Sequence, residues 1–203
     1  MSLRNVIMKQ FGKPEGFMGR LAGQIMARRL SNIQRNRWAV GLLELKPSDH
    51  VLEIGCGPGI ALNEFSKMIA SGKIIALDHS GLMINSVRKK FGSLEKSGIL
   101  HTIAEKIEDV QLAPESLNAV FSSNAVQFWN NPVEVFNKIY SALKPGGIVV
   151  TNYMERSKNA TSRQSLDYIS QLSEKATHTK FKISKIESLE MEPVSAYSLI
   201  LKK

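Results

Sequence analysis

The chain has 203 residues, enough for one domain with a sizeable core, and its 43% hydrophobic and 22% charged residues mark a globular protein, not a disordered or fibrous one. Its single cysteine, Cys56, excludes an internal disulfide and a cysteine-cluster metal site, and no histidine lies at ligand spacing from another, so no metal is predicted. The net charge of +9 is uneven: residues 1–40 hold eight Lys/Arg and one acid, Glu15, and therefore +7 of the total. The opening residues lack the continuous apolar run of an export signal, and the longest uncharged stretch, residues 116–133, carries four asparagines. Neither a signal peptide nor a membrane span is predicted, and a cytoplasmic setting is the expectation.

In chain order, Phe17, Leu21, Ile25 and Met26 give residues 17–30 the period of an amphipathic helix with a basic face. Ser31 and Gln34 form a capping-box pattern for a second helix to about residue 45. Pro47-Ser48-Asp49 breaks this pattern, and short apolar runs then alternate with helical periods. Strands are predicted at 50–54, 73–77, 99–103, 117–122 and 148–153. Helices are predicted at 61–70, at 80–90 with an extension toward 96, from Pro132, and at 163–176. Lys144-Pro145-Gly146-Gly147 reads as a turn. Two strands near 181–189 and 195–202, separated by a short connection, must pair antiparallel. The alternation predicts an α/β fold: a doubly wound, mostly parallel seven-stranded sheet with an antiparallel last strand and helices on both faces. The division is an N-terminal helical cap over 1–46 and a Rossmann-like domain over 47–203.

The chemistry concentrates in Val51-Leu52-Glu53-Ile54-Gly55-Cys56-Gly57-Pro58-Gly59-Ile60, a buried strand running through a glycine-rich turn into a helix. Glycines admit a ligand close to the backbone, and the helix start offers free N–H groups. The dinucleotide fingerprint G-x-G-x-x-G is not met, because Ile60 stands at its third glycine and the glycine falls at 59. That separates this loop from an NAD-dependent oxidoreductase.

With Glu53 two residues before Gly55, the segment resembles the first motif of the class I S-adenosylmethionine-dependent methyltransferases. Further matching segments follow in order: Leu77-Asp78-His79-Ser80, Ala104-Glu105, Ala119-Val120-Phe121-Ser122-Ser123, Trp129-Asn130-Asn131-Pro132 and Leu143-Lys144-Pro145-Gly146-Gly147. The resemblance spans residues 47–153 and is strongest to small-molecule members similar to quinone-biosynthesis methyltransferases. It implies S-adenosylmethionine as cofactor and a small-molecule methyl acceptor. It further implies that the backbone at Gly55, Cys56, Gly57 and Gly59 lines the methionine part, with Glu53 near its ammonium. Asp78 would accept hydrogen bonds from the ribose hydroxyls, His79 and Met83 would sandwich the adenine, and Ala104 and Glu105 would meet its amino edge. Ser123 and Asn124 would face the sulfonium region.

Two positions depart from the family pattern. Ile103 stands where an acid often binds the adenine amino group, a role open to Glu105, and Asn118 stands where Asp is usual. Gln127, Trp129 and Tyr153 follow strand ends and are the candidate acceptor pocket; Trp129 serves equally well as a helix-packing aromatic. Gln127 cannot act as a base at neutral pH, so no catalytic residue is assigned, and the chemistry expected is in-line transfer by proximity or to a readily ionised acceptor. The basic N-terminal segment is a solvated face, a lid, or a site for an anionic substrate or membrane surface, with nucleic acid last because no basic stripe with interleaved aromatics is present. The alternative function is a degenerate member that binds the cofactor without turnover.

Overall fold

The computed structural model describes residues 30–157 and 159–203. Of the predicted helix over residues 17–30, residues 17–29 lie outside the described residues. The first described element is helix α1 (Leu30–Gly41). Ser31 lies inside this helix and does not cap it. The helix stops four residues before the predicted end, and Glu44 takes a left-handed conformation (φ 51°) as the chain turns toward the sheet.

There follow β1 (His50–Ile54), α2 (Leu62–Met68), β2 (Lys73–Leu77), α3 (Gly81–Lys96), β3 (Leu100–Ile103), β4 (Leu117–Ser123), a single 3₁₀ turn (Val126–Phe128), α4 (Pro132–Ala142), β5 (Leu143–Tyr153), α5 (Ser162–Ala176), β6 (Lys182–Leu189) and β7 (Ala196–Lys202). The seven strands form one sheet in the order β3-β2-β1-β4-β5-β7-β6. The first five are mutually parallel, and β7 inserts antiparallel between β5 and β6. The order reverses between β1 and β4, where a doubly wound sheet opens a crevice beyond the strand ends.

Strand pleating splits the apolar runs between two cores. Leu52, Ile54 and Val120 face α4 and α5 through Phe136, Ile139, Ile169 and Leu172. Val51, Ala119, Phe121 and Val150 face the other layer, with Val40 of α1, Phe65 of α2 and Ile84 and Val87 of α3. Local signals set the ends of the helices. Asn131 caps α4 by accepting from Val133 N at 3.1 Å, with Pro132 in the first turn. Thr161 and Gln164 form a capping box that starts α5 one residue before the predicted start.

The Lys144–Gly147 segment is not a separate turn. It lies within β5 as a bulge, since Leu117 pairs with Leu143 while Ala119 pairs with Ile148. Asn118 sits opposite this bulge. Its side-chain oxygen accepts from His50 N and from Lys144 Nζ, both at 3.0 Å. The departure from Asp at this position is accommodated at the strand starts, the end of the sheet away from the crevice.

Candidate functional site

Beyond the C-terminal ends of β1, β2, β4 and β5 lies a cavity of about 800 Å³, a size suited to a small-molecule ligand. Its floor is the loop after β1. Gly55 N and Cys56 N donate to Leu77 O at 2.8 and 3.0 Å, which ties the loop to the end of β2. Gly55 has φ +76°, and a Cβ there would lie 2.5 Å from the Ala125 Cβ, so only glycine lets the segment after β4 pass this close. Cys56 is buried with its Sγ 3.8 Å from Gly57 O, and burial beside Glu53 and Asp78 pushes its thiol up, which leaves it poorly suited to nucleophilic chemistry.

Two carboxylates define one end of the cavity. Asp78 Oδ2 accepts from Gly57 N at 2.8 Å and Oδ1 from Ser80 N at 2.9 Å, so this side chain joins the glycine loop to the start of α3. Burial lifts the Asp78 carboxyl above its ordinary range, against the pull of these N–H donors and of His79. Glu53 is 3% exposed, and its Oε2 has no hydrogen-bond partner. Burial, and then the nearby Asp78 charge, raise its carboxyl well above the usual value.

The opposite wall has a different chemistry. Asn124 adopts φ +50°, a region that asparagine tolerates better than most residues. Its amide grips the segment after β5, with Nδ2 donating to Met154 O at 2.7 Å and Oδ1 accepting from Met154 N at 3.1 Å and from Arg35. Tyr153 donates its hydroxyl to Glu155 Oε2 at 2.7 Å and stacks on Tyr168 at 4.1 Å between ring centroids. Burial and the Glu155 carboxylate push its phenol up, so it stays protonated; burial pushes Tyr168 up to about 12. Glu155, held by the Tyr153 hydroxyl and the N–H groups of Ser157 and Arg156, sits below the ordinary carboxylate range despite its partial burial.

Of the residues singled out from sequence, Glu53, Gly55, Cys56, Gly57, Asp78, His79, Met83, Glu105, Ser123, Asn124, Gln127, Trp129 and Tyr153 all line this one cavity. Gly59 and Ala104 do not. A Cβ on Gly59 would come within 2.7 Å of the Phe91 ring and 3.3 Å of Leu62, so this glycine serves the packing of α3 and α2 against the loop. Ala104 is exposed at the end of β3 and stays off the cavity wall. Met83 is 2% exposed, so it is core as well as cavity wall. Trp129 likewise combines both roles weighed for it, lining the cavity and meeting Phe136 edge to face at 5.6 Å. Ile103 packs at the margin of the core, and its carbonyl accepts from Asp78 N at 3.1 Å.

Sequence reasoning missed Asn32, Arg35 and Asn36 of α1, and Glu155 and Arg156 after β5, all of which line the cavity. Asn32, Arg35, Asn36 and Ala39 recur at helical spacing on one buried face of α1. That period is the available signal, but polar residues on a core-facing stripe leave the basic segment open between a solvated face, a lid and a site for an anionic partner.

Residues 52–151 match the methyltransferase domain family. The seven-stranded sheet with its antiparallel β7 has the fold of the class I S-adenosylmethionine-dependent methyltransferases. The chain is 27% identical over 148 residues to an uncharacterized methyltransferase, YdaC, of Bacillus subtilis (strain 168), covering 73% of this chain and 78% of that protein. It is 35% identical over 111 residues to a malonyl-[acyl-carrier protein] O-methyltransferase of Marinomonas sp. (strain MWYL1), covering 55% of this chain. The chain spans 40% of the length of that relative. Among solved structures, a putative S-adenosylmethionine-dependent methyltransferase from Methanococcus maripaludis shares its fold with a TM-score of 0.68 at 16% identity, covering 91% of each chain. No helix among the described residues is long and apolar enough to cross a membrane. Nor does any group of three or more His, Cys, Asp or Glu side chains there lie together as a metal site.

Proposed function

We propose that this chain transfers a methyl group from S-adenosylmethionine to a small-molecule acceptor held between the glycine loop and the Asn124–Tyr153 wall. The observation that carries this reading is the buried Glu53 Oε2, which borders the cavity with no partner. An unsatisfied buried carboxylate oxygen costs about 1–3 kcal/mol or more. It is retained where a ligand supplies the donor, and an ammonium group does so. Asp78 fits a ribose diol in the same way, because a carboxylate is acceptor-only and keeps lone pairs beyond those used by Gly57 and Ser80.

When bound, the cofactor supplies an already activated methyl group on a sulfonium. The protein's task is then alignment and exclusion of water, and well-oriented reactants gain roughly 7–11 kcal/mol from motion given up on binding. In this reading Gly55, Cys56 and Gly57 present backbone to the methionine part, while His79, Met83 and Glu105 flank the adenine. Trp129 and Tyr153 shape the acceptor space, and Gln127 is held across its mouth by donating from Nε2 to Asn124 O at 2.8 Å. The protonated Tyr153 donates to Glu155 and is no base, which supports transfer by proximity.

Calorimetric titration of the purified protein with S-adenosylhomocysteine, NAD and NADP tests the reading. Micromolar binding of the homocysteine adduct with neither dinucleotide bound is expected. Preference for a dinucleotide would overturn it, and tight adduct binding with no transfer to any acceptor in a broad panel would favour the non-catalytic alternative.

A further inference from the structure

Two buried side-chain polar atoms among the described residues stand without a hydrogen-bond partner, Glu53 Oε2 and Arg35 Nε. One belongs to an acid and the other to a base, and both side chains line the same cavity. Arg35 comes from the face of α1 that also buries Asn32, Asn36 and Ala39. It is 2% exposed, and no carboxylate among the described residues forms an ion pair with it. One terminal nitrogen donates to Asn124 Oδ1, and the other lies 3.5 Å from Asn32 Oδ1. Amide oxygens offset only part of the cost of burying a cation. Burial above all holds this guanidinium below its usual range.

The two unpartnered groups are linked through one short stretch of backbone. Glu53 of β1 pairs with Phe121 of β4, and β4 ends at Ser123, next to the Asn124 that holds Arg35. The following residue, Ala125, lies against Gly55, two residues past Glu53, so closely that a Cβ on Gly55 would be 2.5 Å from that of Ala125. Arg35 is therefore anchored one residue from the point where the segment after β4 touches the glycine loop, the loop assigned above to the methionine part of the cofactor.

A lone carboxylate entering here would satisfy Arg35 and leave Glu53 without a partner, and a lone amine would do the reverse. An α-amino-acid head satisfies both, because its ammonium and its carboxylate sit on one carbon. The ammonium favours the ionised form of Glu53, and a guanidinium fork suits the paired oxygens of the carboxylate. S-adenosylmethionine ends in such a head. We propose that Arg35 pairs with the carboxylate of the cofactor's amino-acid end, opposite Glu53, and so latches α1 over the crevice when the cofactor is bound. The inference deepens the methyltransferase reading of the cavity and rests on it. Asn32 and Asn36 line the cavity from the same helix, so a carboxylate on Arg35 tightens that whole wall.

The test compares S-adenosylhomocysteine by calorimetry with its decarboxylated analogue S-adenosyl-3-thiopropylamine, with the deaminated adduct that keeps its carboxylate, and with 5′-methylthioadenosine, which has neither group. Wild-type protein should bind S-adenosylhomocysteine at least about tenfold more tightly than the decarboxylated analogue, the 1.4 kcal/mol scale of one charge-assisted contact. Arg35→Met should reduce that preference to within about twofold. It should keep the preference over the deaminated adduct, and unchanged 5′-methylthioadenosine binding shows that the variant is folded. Arg35→Lys, which conserves the charge, should retain part of the preference. Amide hydrogen exchange of wild-type protein reads the latch without any substitution: S-adenosylhomocysteine should slow exchange in α1, and the decarboxylated analogue at equal saturation should not. Equal wild-type affinity for these two ligands would overturn the proposal, as would an α1 that responds alike to both. Arg35→Met protein that keeps the full preference between them but loses a wild-type preference for benzoate over benzamide would also overturn it, because the arginine would then serve the acceptor. Wild-type protein that binds none of the adenosyl ligands would sink the methyltransferase reading, whereas one that binds them all alike would sink only the assignment of Arg35.

Discussion

The two ends of the cavity are opposites in charge and in origin. At one end Glu53 and Asp78 come from adjacent parallel strands, twenty-five residues apart in sequence, and each carboxyl is raised by burial. At the other end Arg35 and Arg156 come from the first described helix and from the segment after β5, and both donate to Asn32, with Arg35 also donating to Asn124. The acidic end is built on backbone: the Gly57 and Ser80 N–H groups and the Leu77 carbonyl fix it. The basic end is built on side chains, with two asparagine amides holding two long, flexible cations.

The most damaging way to break the contrast is at the loop. Gly55→Val places a Cβ 2.5 Å from that of Ala125 at φ +76°, and the strain and overlap should cost on the order of 2–6 kcal/mol. A large drop in the thermal unfolding midpoint is expected; an unchanged midpoint would mean that the loop yields freely and is not the rigid element described.

Asp78→Asn is gentler, since the amide can still accept from one of the two backbone donors but must turn its NH₂ toward the other. Affinity for S-adenosylhomocysteine should fall roughly 10- to 100-fold, and an unchanged affinity would take Asp78 out of the cofactor site.

Glu53→Gln separates charge from shape. The raised carboxyl of Glu53 means that, above the ordinary glutamate range, the folded protein still holds a proton that the unfolded chain has released. Stability of the ligand-free protein should therefore be complete below the ordinary carboxylate range and decline as pH rises through the raised value. The variant should flatten this slope without abolishing it, because Asp78 is raised in the same sense. Denaturant midpoints measured from pH 4 upward provide the check, and an identical slope in the variant would remove Glu53 as its source.

Tyr153→Phe has the smallest expected effect. It deletes the 2.7 Å bond to Glu155 but keeps the ring stacked on Tyr168, for a loss of about 1 kcal/mol in stability. Affinity for S-adenosylhomocysteine should not change; a marked loss would place Tyr153 at the cofactor rather than the acceptor end.

Reading the sequence went furthest where chemistry is tied to local spacing. Strands 50–54 and 73–77 were delimited by apolar runs between turn residues, and the antiparallel closing pair by its short connection. Errors came where backbone pairing overrides local signal. Lys144-Pro145-Gly146-Gly147 has the composition of a turn but is held in β5 as a bulge by the partners on either side. Ser31 offers a cap, yet the helix includes it. Gly59 belongs to the glycine pattern but spends its missing side chain on Phe91 and Leu62.

The sequence by itself determined the sheet, the glycine loop and the acidic end of the site, because a strand, its turn and the following helix bring those groups together over short stretches whose spacing is fixed by backbone geometry. Only the tertiary structure decided the fate of Arg35. In the linear chain it is one of eight basic residues in an N-terminal segment, and nothing local distinguishes it from a solvated charge. Its burial depends on α1 packing over the crevice so that Asn124, 89 residues away, and Asn32, itself met by Arg156 from 124 residues away, converge on the same place. Long-range convergence of this kind has no period to read, because it is set by how layers pack and not by the spacing of residues along the chain.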